Sequence, residues 1–121
     1  MATANDLDLF TRAYVVCALW SSTDLDGTPL DRDFNIEDIS DETIQEMIAD
    51  CAKFQADHTG DISGYPEQAG YDFWLTRNRH GAGFWDTGRP WADGAGDRLT
   101  EAAHTFGETD LYVGDDRKLY I

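Results

Sequence analysis

Apolar positions in this chain follow two regimes, a helical period in the first half and an alternating one from residue 71 onward. In residues 6–20, Leu7, Phe10, Tyr14 and Cys17 recur at helical spacing and Ala18 and Trp20 follow, which predicts a helix, although the run AYVVCALW alone also reads as a strand. Ser21, Ser22 and Thr23 end it, and Gly27 and Pro29 mark a loop. Ser40 followed by Asp41 and Glu42 is a helix start, because a side-chain oxygen caps free amides and early acids suit the helix dipole. Ile44, Met47, Ile48, Cys51 and Phe54 then form the buried stripe of a helix over 41–57. Residues 58–70, with Gly60, Gly64, Pro66 and Gly70, read as loop.

The second half opens on YDFWLTRNRHGAGFWD (71–86), where 71–77 and 82–86 are aromatic-rich and separated by NRHG. That pattern predicts a hairpin in which Leu75 pairs with Phe84 and Trp74 with Trp85. Asp97 is expected to cap a short helix with Leu99, Ala102, Ala103 and Phe106 on its apolar face and Gly107 at its end. DLYV and KLYI, joined through GDDR, predict a second hairpin. The expected architecture is a single α+β domain over 1–121 in the order α-α-β-β-α-β-β, a small antiparallel sheet of two hairpins packed with helices.

Charge changes this picture most. The 121 residues hold 24 acids against 9 bases, for a formal net charge of −15. Such a balance opposes direct binding to nucleic acid or to an anionic membrane and favours a basic partner. The acids concentrate between Asp24 and Asp61, where only Arg32 and Lys53 answer them. No apolar run approaches the ~18 residues of a membrane helix, and the start MATANDLDLF lacks the basic and apolar regions of a signal peptide, so a cytoplasmic protein is expected. Cys17 and Cys51 lie in apolar surroundings without metal-site spacing and are expected to be buried thiols.

The stretches CALWSSTD (17–24), TPLDRDFNIEDISDETIQEMIADC (28–51), FWLTRNRHGAGFWDTG (73–88) and LTEAAHTFGETDLYVGDD (99–116) together resemble a family of small uncharacterised proteins encoded by tailed bacteriophages and prophages. The resemblance spans nearly the whole chain and implies a phage accessory protein acting in the cytoplasm of the host bacterium, without an activity that could be carried onto particular residues. Small acidic phage proteins often disarm host defences, some by imitating DNA, so the class-level expectation is an inhibitor of the anti-CRISPR or anti-restriction kind; this last step is analogy.

Two candidate sites follow. On the second helix Glu42, Glu46 and Asp50 recur every four residues, at about 6 Å along one face, close to the phosphate interval of a nucleic-acid strand. With Asp24, Asp26, Asp31, Asp33, Glu37, Asp38 and Asp41 they could offer two rows of charge to a basic, nucleic-acid-binding host protein. The same acids also read as the solvated face of an amphipathic helix, and Asp24, Asp26, Asp31 and Asp33 crowd one loop as a calcium site would, though without the glycine and glutamate of an EF-hand.

The alternative site is the hairpin 73–86, where Trp74, Thr76, Arg77, Arg79, His80 and Trp85 could cradle a small ligand or serve a small enzyme. A catalytic histidine needs an orienting carboxylate and a reacting group, and nothing near His80 in sequence supplies either. The reading is therefore a binding protein first, with a small enzyme at this hairpin left open, and with no cofactor and no metal expected. A virion or assembly component is a further alternative.

Overall fold

In the computed structural model, which describes residues 6–121, the chain is a helical protein with one small hairpin. The helices are α1 (Leu9–Ser21), α2 (Asp41–Ile62), α3 (Pro66–Arg77) and α4 (Ala95–Thr105). Two short 3-10 turns, Leu30–Arg32 and Ile36–Asp38, lie between α1 and α2, and β1 (Tyr112–Val113) and β2 (Leu119–Tyr120) close the chain.

Side-chain caps account for two helix starts, and Asp97 does not cap α4 as expected. Asp8 caps α1 by accepting from the amide of Thr11 at 2.8 Å, and the Gln55 side chain donates to its other oxygen at 3.1 Å. Burial alone would raise the Asp8 pKa, but these hydrogen bonds hold it below the ordinary aspartate value. Ser40 caps α2 through the Thr43 amide at 3.2 Å, as the sequence predicts. Helix α4 begins at Ala95, ahead of Asp97, from a left-handed Gly94; the anticipated apolar residues Leu99 and Ala103 are buried on it.

The largest departure is at residues 66–86. Residues 66–77 form α3, and 78–94 form an irregular segment, so the α-α-β-β-α-β-β order and the Trp74/Trp85 strand pairing are both incorrect. Only the C-terminal hairpin exists as sheet, with Tyr112 opposite Tyr120 and Val113 opposite Leu119. Helix, 3-10 turns included, accounts for 56% of the described residues, so α+β overstates the strand content. The physical reason is that α3 is the central helix. Ala69, Gly70, Asp72, Phe73, Trp74, Leu75, Thr76 and Arg77 are all buried on it, and a helix covered on every side shows no amphipathic period.

Helix α3 packs chiefly on α1. Gly70 makes this possible, because a Cβ there would lie 2.1 Å from the Phe10 carbonyl oxygen and 3.0 Å from the Ala13 methyl. Backbone cannot yield as a side-chain end would, so Gly70→Ala is expected to lower the unfolding free energy by about 3 kcal/mol, at the upper end of overpacking costs, as read by urea denaturation. Around this contact Phe54 stacks on Phe73 with centroids 4.3 Å apart and on Phe84 at 5.5 Å, while Tyr14 meets Trp74 edge-on at 5.3 Å. Each such pair contributes about 0.5–1.5 kcal/mol beyond the area it buries.

Helix α2 continues past the expected end at residue 57. Its backbone leaves helical geometry at His58 (φ −131°, ψ 23°) and then resumes to Ile62. His58 therefore sits at a kink, against the Phe54 ring at 4.7 Å, and not at a helix end. Among the described residues no helix is long and apolar enough to cross a membrane.

Candidate interaction surface

One end of the molecule is built from residues 22–40, the first turns of α2 and the C-terminal hairpin. Two hydrogen bonds hold these parts together: the Ser40 amide donates to the Leu119 carbonyl at 2.9 Å, and the Ile121 amide to the Thr43 hydroxyl at 3.3 Å. The hairpin thereby lies beside the start of α2.

The acids expected to form a partner face divide into two groups. Asp26, Asp31, Asp33, Glu37, Asp41, Glu42 and Glu46 are exposed, and no ion pair among the described residues uses any of them. Asp24, Asp38 and Asp50 are partly buried and have internal work. Asp24 accepts from the amides of Asp26 at 2.8 Å and Thr28 at 3.0 Å, closing its own loop; Asp38 accepts from the Asn35 amide at 2.8 Å while Asn35 accepts from that of Glu37. Asp50 stays partly exposed but pairs with the buried Arg77 at 2.8 Å.

Neighbours the sequence does not reveal join this end. Asp115 and Asp116 lie at the hairpin turn, where Asp116 accepts from the Tyr120 hydroxyl at 2.6 Å and from the Lys118 amide at 3.0 Å. These bonds hold the Asp116 carboxyl below the ordinary value, the Tyr120 bond contributing most, and the same bond raises the Tyr120 phenol. Arg32, Arg117 and Lys118 are the cations of this end, and Arg117 lies over the Phe34 ring at 4.9 Å. Other cations are drawn into ion pairs elsewhere: Lys53 with Asp57, Arg89 with Asp72 and Asp86, and Arg98 with Asp61. No sequence signal brings residues 112–120 to the acidic loop, because the contact depends on backbone groups separated by most of the chain.

An uncompensated charge of −15 repels itself most in the compact state. Raising NaCl from about 20 mM to about 500 mM shortens the screening length to a few Å and is expected to raise the thermal midpoint by several degrees, measured by circular dichroism. A midpoint independent of salt would mean that the surface charge is already balanced locally.

The residues of the alternative ligand site are scattered by the fold. Trp74 is 2% exposed and its indole Nε1 donates to the Ser21 hydroxyl at 2.9 Å. Thr76 is buried and its hydroxyl accepts from the Phe84 amide at 3.1 Å. Arg77 is interior, donating from Nε to the Gly107 carbonyl (2.9 Å), from Nη2 to the Phe106 carbonyl (3.0 Å) and from Nη1 to the Tyr14 hydroxyl (3.0 Å) as well as to Asp50. Arg79 and His80 project at the end of α3, Arg79 in left-handed backbone (φ 57°), and Trp85 is 49% exposed. Trp74, Thr76 and Arg77 are thus interior, whereas Arg79, His80 and Trp85 are exposed.

Behind α3, Asp72 is fully buried and receives Arg89 through two bonds, 2.8 and 3.0 Å, with the Gln68 amide at 3.2 Å. Burial pushes its carboxyl above the ordinary aspartate value against the pull of Arg89. Cys17 and Cys51 are buried and free, as expected; burial pushes the Cys17 thiol up to about 12 and raises Cys51 as well, which keeps both protonated. Among the described residues no group of three or more His, Cys, Asp or Glu side chains is arranged to hold a metal ion. No family model matches the chain, and no curated protein or solved structure is detectably similar to it.

Proposed function

We propose that the protein acts by binding a basic, nucleic-acid-handling protein through the acidic end of the molecule, in the manner of a DNA mimic, and so blocks that protein's access to nucleic acid. The supporting observation is that Asp26, Asp31, Asp33, Glu37, Asp41, Glu42 and Glu46 stay exposed without an ion pair among the described residues, while Lys53, Arg77, Arg89 and Arg98 are paired with other acids. Such a surface steers a cationic protein from a distance as a phosphate backbone does. The resemblance of the sequence to phage-encoded proteins favours a host defence protein as the target, of the CRISPR or restriction kind.

The test is affinity capture from bacterial lysate at about 50 mM and about 300 mM NaCl, followed by competition with duplex DNA for the captured protein. The expected result is a nucleic-acid-binding protein that is held at low salt, weakened at high salt and displaced by DNA. Capture that salt leaves unchanged, or that DNA does not compete with, overturns the reading.

A further inference from the structure

Beside the acidic loop lies a groove of about 430 Å³ between residues 23–34 and the C-terminal hairpin. Its apolar walls are Leu25, Phe34, Tyr112 and Val113, and Asp26 and Asp33 stand among its lining residues. Leu25 is fully exposed, at the tip of a hydrogen-bonded turn. Asp24 and Thr28 are bonded across the turn at 2.9 Å, the Gly27 amide returns to the Asp24 carbonyl at 3.0 Å, and Gly27 supplies the left-handed residue (φ 81°) that the turn requires. Tyr112 on the opposite wall is 53% exposed and rests on Tyr120. A preformed turn that presents a leucine to solvent loses little further entropy when something packs on it.

From this geometry we infer that the groove receives one apolar or aromatic side chain of a partner segment whose flanking residues are lysine or arginine. This rests on the reading of the acidic end as a binding surface and adds to it a short-range anchor that charge alone lacks. The apolar walls between Leu25 and Tyr112 take the side chain, and Asp26 and Asp33 meet the cations on either side of it. Arg117 also lines the groove and occupies the Phe34 ring face at 4.9 Å, which leaves the partner's cations to Asp26 and Asp33. Long-range charge sets the rate of encounter, whereas a desolvated central anchor surrounded by polar contacts sets the lifetime of the complex.

Two synthetic peptides of identical charge test this, one a run of lysines and arginines around a central tryptophan, the other with glycine in its place. Both are titrated into the 15N-labelled protein, and amide shifts report affinity and location. The tryptophan peptide is expected to bind about tenfold more tightly than the glycine peptide, consistent with burial of one large ring, with shifts in residues 23–34 and 112–117. In the double variant Leu25→Ser/Tyr112→Ser, whose side chains are exposed and whose fold should persist, that advantage is expected to vanish while the glycine peptide binds as before. Equal affinity of the two peptides for the unaltered protein overturns the groove but leaves the acidic surface standing. An advantage that survives the double variant also overturns the groove. If neither peptide binds, both readings fall.

Discussion

Replacing Arg77 by alanine is expected to lower the unfolding free energy by about 3–5 kcal/mol, the cost of removing one partner from a buried ionic network. For a domain of this size that is a third or more of a total of about 5–15 kcal/mol. The cost follows from what the guanidinium satisfies. It donates to the Phe106 and Gly107 carbonyls at the end of α4, to the Tyr14 hydroxyl on α1 and to Asp50 on α2, and it lies between the Phe73 and Phe106 rings at 5.8 and 5.7 Å. One side chain on α3 thus joins the other three helices. Truncation leaves the Tyr14 hydroxyl and two carbonyls unpaired and opens a cavity that the rings cannot close.

Arg77→Lys is expected to recover little, because an ammonium cannot reach these acceptors in the directions that the planar fork serves. Asp50→Asn is expected to cost only about 1 kcal/mol, since that side chain is 37% exposed and the amide keeps an acceptor for Arg77. Urea titrations followed by tryptophan fluorescence give all three values. An Arg77→Ala protein within about 0.5 kcal/mol of the unaltered one would show that water replaces the network at no cost.

Arg77 also shows why part of the fold was illegible in the sequence. The start of α2, the apolar positions of α4 and the C-terminal hairpin depend on local signals: a capping serine before two acids, a helical stripe ending in glycine, and short alternating runs around a polar turn. Helix α3 depends on its neighbours. Gly70 reads as loop punctuation, yet it is present because α1 comes within contact of the helix backbone; Arg77 reads as a candidate ligand contact and Asp72 carries no signal of its own, yet each is buried with a partner distant in sequence. With polar residues inside and aromatics on every side, FWLT carries the composition of a strand. The signal that favoured a helix was Pro66 followed by Glu67, a proline in the first turn with an early acid.

The candidate surface was legible to a similar degree. Its exposed acids follow from composition and spacing, but the loss of Asp50 to Arg77 and the gain of the hairpin as a second wall are tertiary facts. Four-residue spacing places side chains on one helix face without saying whether that face meets solvent along its whole length. Here it meets solvent at Glu42 and Glu46 and turns inward by Asp50.

That turn determines how the acidic surface must be tested. A reversal that includes Asp50 would set an ammonium beside Arg77 and confuse loss of binding with loss of structure. Asp33→Lys/Glu42→Lys/Glu46→Lys instead changes three exposed residues without ion pairs and moves the formal net charge from −15 to about −9. Its stability is expected to stay within about 1 kcal/mol of the unaltered protein. The Glu42/Glu46 repulsion that is removed, roughly 0.2–0.5 kcal/mol, offsets much of the dipole contribution lost at the start of α2. Binding should respond very differently, because like charges placed against a cationic partner cost several kcal/mol. Affinity for the protein recovered by salt-sensitive capture is expected to fall at least about 100-fold at low salt, and the remaining binding should lose most of its salt dependence. Arg79→Ala/His80→Ala, at the end of α3, should bind as the unaltered protein does. A folded triple variant that still holds its target with undiminished affinity would reduce the acidic end to a solvated face, and the partner would then have to be sought at Trp85 and the other exposed rings.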